Sequence, residues 1–249
     1  MADLKRRSLL AGIAALGAGA CSKIAEIDTG QSLFDTAENL HRIAHRALAG
    51  RQGLAPEYAP EDRSPTFRGN GSVTVDSPEY RSELANGFAR WRLAVGGLVE
   101  TRLTLSMDDL RALPQRTQIT RHDCVEGWSA IGEWTGPQLS TLLDRARVKP
   151  EANFIVFRCA DMLYDRAYYE SVDMVDAYHP QTIIAHMLNG EPIPEKNGAP
   201  LRMRIERQLG YKHAKYLTAI EAVASLDAIG DGKGGFWEDY SNYQWYAGI

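Results

Sequence analysis

From Trp91 onward the chain never keeps one hydrophobic period for long, and this irregularity limits the folds open to it. The stretches "WRLAVGG", "VETRLTL", "RTQITRH" and "NFIVFRC" alternate or carry β-branched runs, and Gly or polar residues separate them. "PLRMRIE" and "KYLTAIEAV" predict later strands. Short helical stretches interrupt the strands. Ser106 is placed to cap "MDDLRAL", "GPQLSTLLDRA" has Pro137 in a first-turn position, and "PQTIIAHMLNG" is a further helix candidate. Strands and short helices mixed without steady βα alternation predict an α+β fold of mixed sheets, not a doubly wound sheet. No glycine loop of the dinucleotide-binding type accompanies any strand, and no repeat or low-complexity tract is present.

Upstream, "SLFDTAENLHRIAHRALAG" has apolar residues at helical spacing, Asp35 and Glu38 in capping-box register and Gly50 as a stop. His41 and His45 lie four apart on it, but Arg42 and Arg46 flank them, which favours a solvated or partner-facing surface over a metal site. "GLAPEYAPEDRSPTFRGNGS" reads as a long ordered connection. The first residues have the layout of a cleavable export signal: Lys5, Arg6 and Arg7, then an apolar run from Leu9 to Ala20 too short to cross a bilayer. Arg6-Arg7-Ser8-Leu9-Leu10 resembles a twin-arginine signal, and Ala18-Gly19-Ala20 fits a cleavage site, so the mature chain is expected to begin at Cys21. A cysteine there also fits a lipoprotein anchor. These readings divide the chain into a signal at 1–20, a helix and connection at 21–66 and a main domain at 67–249, with a periplasmic location.

Loss of Lys5, Arg6, Arg7 and Asp3 with residues 1–20 takes the formal charge from −4 to −6, which argues against nucleic acid as a partner. Only Cys21, Cys124 and Cys159 remain after that cleavage, so the chain is not a disulfide scaffold. Pairing of Cys124 with Cys159 in an oxidising compartment is the structural alternative to a chemical role. Cys124 is flanked by His122, Asp123 and Glu126 in "RHDCVEGWSAIGEW", a polar setting suited to thiolate chemistry.

Three segments stand out together: "RHDCVEGW", "NGEPIPEKNGAPLRMRIE" and "ERQLGYKHAKYL". In this order they resemble the molybdopterin-binding domain of the sulfite oxidase family, most closely the bacterial branch that includes the catalytic subunit of periplasmic protein-methionine-sulfoxide reductase. The resemblance runs from about Phe67 to the C-terminus, where "GGFWEDYSNYQWYAGI" looks like the short ending of compact members. That ending leads us to expect neither the immunoglobulin-like dimerisation domain of true sulfite oxidases nor a haem domain.

The resemblance implies one molybdenum held by one dithiolene pterin and by the thiolate of Cys124, a soft ligand that the metal itself keeps deprotonated. It also implies that the pterin phosphate is fixed by Arg202 through forked hydrogen bonds, by Lys212 and Lys215 as point charges, and by backbone N–H groups around His213 and Ala214. Asn197 matches the family's pterin-contacting asparagine, Asn70 an asparagine upstream of the cysteine, Cys159 a threonine near the cofactor, and Glu126 a glutamate near the metal. The implied function is an exported oxidoreductase that transfers an oxygen atom on an S- or N-oxide substrate, small or protein-bound. Electrons would be exchanged with a separate haem protein, a membrane cytochrome b or a periplasmic cytochrome c. Sulfite oxidation by the same cofactor is one alternative. A cofactor-free hydrolase using Cys124 with His122 or a distant histidine is another.

Overall fold

The computed structural model describes residues 28–249, with side chains from Thr36. The export signal and Cys21 lie outside the described residues. The chain divides into two compact units, Met1–Leu48 and Ala49–Ile249. In the first, helix α1 (Asp28–Ala49) begins upstream of the capping-box pair at Asp35 and Glu38, which is therefore interior. Once a helix is nucleated each added residue gains a backbone bond, so a local cap signal does not by itself start it. Gly50, at φ +70, follows the helix as expected. The His41 and His45 rings are 6.0 Å apart, and no group of three potential metal ligands occurs among the described residues.

The second unit starts before Phe67 because the connecting segment is bonded into it: the Tyr58 and Ser64 N–H groups donate to Ile119 and Ile131 O, both at 2.9 Å. Its elements are α2 (Pro78–Ala85), β1 (Arg92–Gly97), β2 (Leu103–Ser106), α3 (Met107–Arg111), β3 (Gln115–Cys124), β4 (Trp128–Pro137), α4 (Leu139–Ala146), β5 (Phe154–Leu163), β6 (Arg166–Asp173), α5 (Met174–Ala177), β7 (Ile183–Ala185), β8 (Met187–Leu188), β9 (Glu191–Pro192), β10 (Arg202–Arg204), β11 (Leu217–Val223) and α6 (Phe236–Ser241). One sheet has the order β2-β1-β11-β5-β6, with β1 and β11 parallel; a second runs β3-β4-β8-β9, and β7 pairs with β10. This is an α+β fold. Ser106 caps α3 with a reciprocal bond to Asp109. On α4, Leu139, Leu142, Leu143 and Ala146 share one face and are fully buried against the first sheet's core. Burial of each leucine contributes roughly 1.5–3 kcal/mol.

Three expectations are corrected. "PQTIIAHMLNG" forms β7 and β8, not a helix: Ile183, Ile184 and Ala185 are all buried, so both faces of a strand are covered and no polar helical face exists. Pro137 ends β4, and Gln138 stands at the N-terminal boundary of α4 with its side chain donating to Pro180 O rather than capping the helix. In "VETRLTL" only Leu103 onward is strand.

Candidate active site

Alternation along β3 buries Gln118, Thr120, His122 and Cys124 on one face, and β10 presents Arg202 and Arg204, two residues apart and both fully buried. The Trp134 ring packs against both guanidiniums, at 5.4 Å from Arg202 and 4.6 Å from Arg204. Arg204 is fully engaged: it donates to both Glu206 oxygens at 2.9 and 2.6 Å, to His122 Nδ1 at 3.0 Å and to Thr120 Oγ1 at 3.4 Å. Because a guanidinium only donates, His122 Nδ1 must accept, which puts the ring proton on Nε2. Gly210 packs directly on that nitrogen; a Cβ there would sit 2.5 Å from it. Burial, with Arg202 next, holds His122 well below the ordinary imidazole range, so it stays neutral.

Arg202 differs. Its Nη1 donates to Asn197 O at 3.1 Å, but Nε and Nη2 have no partner among the described residues. Burial and then Arg204 push its pKa down to about 9. A buried, charged fork with two unused donors is costly unless an anion or acceptor joins it.

A cleft is faced by Cys124, Glu126, Asn70, Asp161, His213 and Lys215 and walled by Tyr168, Tyr211, Trp237 and Tyr243. Arg202 is not in its lining, but its charge acts on Cys124 and Lys215 there. Cys124 is the last residue of β3, just before the turn to β4. Burial raises its thiol pKa, and the Glu126 charge adds to this. Glu126 hangs at the cleft mouth, accepting from Gly71 N–H at 3.5 Å and Trp128 Nε1 at 3.0 Å. His213 Nε2 donates to Ile205 and Gln208 carbonyls at 3.0 and 3.1 Å, so Nδ1 is left as a lone-pair acceptor without a partner among the described residues. Lys215 Nζ donates to the Asn70 and Ser72 carbonyls. Burial and then Arg202 lower its pKa to about 7. Asn70 Oδ1 has no partner among the described residues. Asn197, behind the cleft, donates to Arg68 O at 3.0 Å.

Several predicted roles change. Lys212 does not face the cleft; it is ion-paired to Glu170 at 2.7 Å and Glu238 at 2.5 Å, all three buried. The His213 and Ala214 N–H groups donate to Gly210 and Lys212 carbonyls, at 3.2 and 3.1 Å, because the turn closes on itself. Cys159 sits on β5 beside the Lys215 backbone, outside the cleft wall, and both it and Cys124 are free thiols. The hydrolase alternative loses His122 as its base, because Arg204 and Gly210 lock that ring. His213, which lines the same cleft as Cys124 and has Nδ1 unpartnered among the described residues, is the distant histidine left to it. Sequence reasoning missed Asp161. It is 2% exposed, takes the Ser72 hydroxyl on one oxygen and has no partner among the described residues on the other. Its one sequence signal is an acidic residue inside the apolar run "FIVFRCADML".

The cleft thus offers one thiol and unpartnered acceptors on Asn70, Asp161 and His213, and the Arg202 charge, with two guanidinium nitrogens unpartnered among the described residues, acts on Cys124 and Lys215 in its lining. This donor set fits a molybdenum–pterin group, which needs a soft metal ligand, donors for a phosphate and acceptors for ring N–H groups.

The sequence profile of the oxidoreductase molybdopterin-binding domain matches residues 81–227. The chain is 41% identical over 160 residues to the protein-methionine-sulfoxide reductase subunit YedZ1 of Azospira oryzae, covering 64% of this chain and 56% of that protein. It is 31% identical over 173 residues to the protein-methionine-sulfoxide reductase catalytic subunit MsrP of Campylobacter jejuni, with the same two coverages. The chain therefore spans about half the length of these relatives. The sulfane dehydrogenase SoxCD of Paracoccus pantotrophus has a similar fold, with a TM-score of 0.51 at 24% identity over 55% of this chain and 39% of that one. Profile, fold and donor set agree: the chain belongs to the oxidoreductase molybdopterin-binding domain family.

Proposed function

We propose that the protein is an exported reductase of neutral S- or N-oxides, a methionine S-oxide type above all, carrying one molybdenum and one dithiolene pterin. Cys124 would ligate the metal. Arg202 and Lys215 would meet the pterin phosphate, while Asn70, Asp161 and His213 would accept from its ring N–H groups. When bound, the group supplies two-electron oxygen-atom transfer. The chain's own residues orient the oxide, close the cleft with aromatic walls and select by charge. Glu126 carries that selection. A carboxylate at the mouth beside the Cys124 thiol repels a free anion such as sulfite, worth several kcal/mol at most in a partly desolvated cleft.

Relatives named as methionine-sulfoxide reductases support an S-oxide substrate, and the term catalytic subunit supports a second subunit as electron donor. We assign that donor to a haem protein, a membrane cytochrome b or a periplasmic cytochrome c. Among the described residues no helix is long and apolar enough to cross a membrane.

Protein matured in a molybdopterin-competent host is expected to carry about one molybdenum per chain. It should reduce S-oxides, and Cys124→Ala should lose both properties. A metal-free wild type overturns the cofactor assignment, and efficient sulfite oxidation overturns the substrate assignment. Periplasmic export is tested by Arg6→Lys with Arg7→Lys, which should hold the precursor in the cytoplasm; normal export of the double variant contradicts a twin-arginine route.

A further inference from the structure

Behind the Tyr168 wall of the cleft lies a cluster that the functional reading does not use. Glu170 on β6, Lys212 in the turn after β10 and Glu238 on α6 come from three separate elements and are each at most 1% exposed. Lys212 Nζ lies 2.7 Å from Glu170 Oε2 and 2.5 Å from Glu238 Oε1. The two Oε2 atoms press on the same face of Gly235, where a Cβ would meet that of Glu238 at 2.1 Å and that of Glu170 at 2.4 Å. Two carboxyl groups therefore face each other with one ammonium between them. Fully ionised, the cluster would bury an uncompensated negative charge at a cost of several kcal/mol; one retained proton makes it neutral.

The titratable groups around it are Tyr168 and Tyr169 on β6, Asp161 and Cys159 on β5, Tyr211 beside Lys212, and Asp239 on α6, which accepts from the Tyr169 hydroxyl. Of these, Tyr168 connects the cluster to the cleft. Its hydroxyl lies 3.4 Å from Glu170 Oε1 and donates to Tyr211 O at 2.8 Å, and the residue lines the cleft. A protonated Glu170 would donate to the Tyr168 oxygen, and a hydroxyl rotor can turn its own proton elsewhere.

We propose that Glu170, Glu238 and Lys212 form a buried proton store that passes a proton to the cleft through the Tyr168 hydroxyl. The proposal rests on the reading of the cleft as an oxide-reducing site. Removing the oxygen of an S-oxide as water consumes two electrons and two protons. The S–O bond breaks with its electron pair left on sulfur, which becomes a sulfide, and the departing oxygen takes up two electrons that the bound cofactor would supply, recharged from the haem donor. One proton leaves the Glu170 carboxyl for the Tyr168 oxygen as the Tyr168 O–H gives its own to the departing oxygen. The second proton comes from solvent at the cleft mouth, and solvent later restores the store.

The directions of titration agree. Burial, then Glu238, holds Glu170 well above the ordinary carboxyl range, and burial raises Glu238. Burial alone would lower Lys212, but the two carboxylates outweigh it and keep the ammonium charged. Burial, then Glu170, keeps the Tyr168 phenol protonated. Tyr168 would act on the substrate, whereas Glu170, Glu238 and Lys212 would act through it as positioning residues.

Infrared difference spectroscopy at neutral pH tests the store with or without molybdenum. The wild type should show a protonated-carboxyl C=O band that shifts in D2O. Glu170→Gln alone and Glu238→Gln alone should each abolish it, because either leaves one carboxylate to pair with Lys212. If one of these variants does not fold, the other decides. In the holoprotein, Tyr168→Phe should keep the band while the oxide turnover number falls at least about tenfold with KM unchanged, and Glu170→Gln should lower it comparably with an altered pH profile. A wild type whose carboxyl bands survive both Gln substitutions overturns the store. Tyr168→Phe with wild-type turnover and pH profile overturns the relay. A holoprotein that has the band but reduces no oxide overturns the oxide reading, and with it the delivery step, while leaving the shared proton in place.

Discussion

Arg202 and Arg204 lie two residues apart on one short strand, equally buried and stacked on the same tryptophan, yet they serve opposite ends. Arg204 meets Glu206, His122 and Thr120, all supplied by the chain. Arg202 meets one carbonyl and keeps two donors unused. The difference separates two kinds of buried charge. A charge whose partners are in the chain fixes the fold, here by locking the His122 tautomer under Gly210. A charge without them is a site for something the chain does not encode.

The strongest test of that contrast is stability without cofactor. Arg204→Met strands Glu206 in the interior and should cost about 3–5 kcal/mol in denaturant unfolding. Arg202→Met removes an uncompensated buried charge and strands only the Asn197 carbonyl, so the cofactor-free protein should be at least as stable as the wild type while its molybdenum content falls. Equal destabilisation by both would erase the distinction. Next in size is Glu126→Gln in protein of checked molybdenum content. Oxide turnover should fall roughly tenfold and discrimination against sulfite should weaken; unchanged kinetics would remove Glu126 from the chemistry.

A separate reading of the contrast is the pH dependence of unfolding. Lys215 titrates near 7 in the fold but at 10.5 when unfolded, so between those values the unfolded chain binds more protons and stability rises with pH. Lys215→Met should flatten that rise. His122 and His213 are held well below the ordinary 6.5 by burial, so acidification below about 6.5 should also lower stability as the unfolded chain takes up protons they refuse. Thermal melts across pH of the cofactor-free wild type and variant read both windows.

Much of this contrast was legible in the residues. The cleft collects Cys124, Glu126, Asn70, His213 and Lys215, residues that the family resemblance marked in the sequence. Lys212 and Lys215, three apart in "GYKHAK", look alike in sequence, but the 3-10 turn at Gly210–Lys212 sends one into a carboxylate pair and the other to the cleft. Asp161 went unread because an acidic residue in a strand gives no sign of which face it takes. The β7 and β8 segment went unread for a related reason: a short apolar run is compatible with strand or helix until its neighbours cover it.

By itself the sequence determined the mixed α+β class, the strand alternation that puts His122 and Cys124 on one face, the helix capped by Ser106 and the motif set that marks the family. These follow from covalent geometry and local periodicity, which any stretch of chain carries with it. Tertiary structure alone decided which buried charges are satisfied. Glu206 for Arg204, Glu170 and Glu238 for Lys212, and nothing from the chain for Arg202's Nε and Nη2 among the described residues are outcomes of where distant elements meet. Whether a buried charge is structural or awaits a ligand depends on partners within about 3 Å, and sequence separation does not encode that distance.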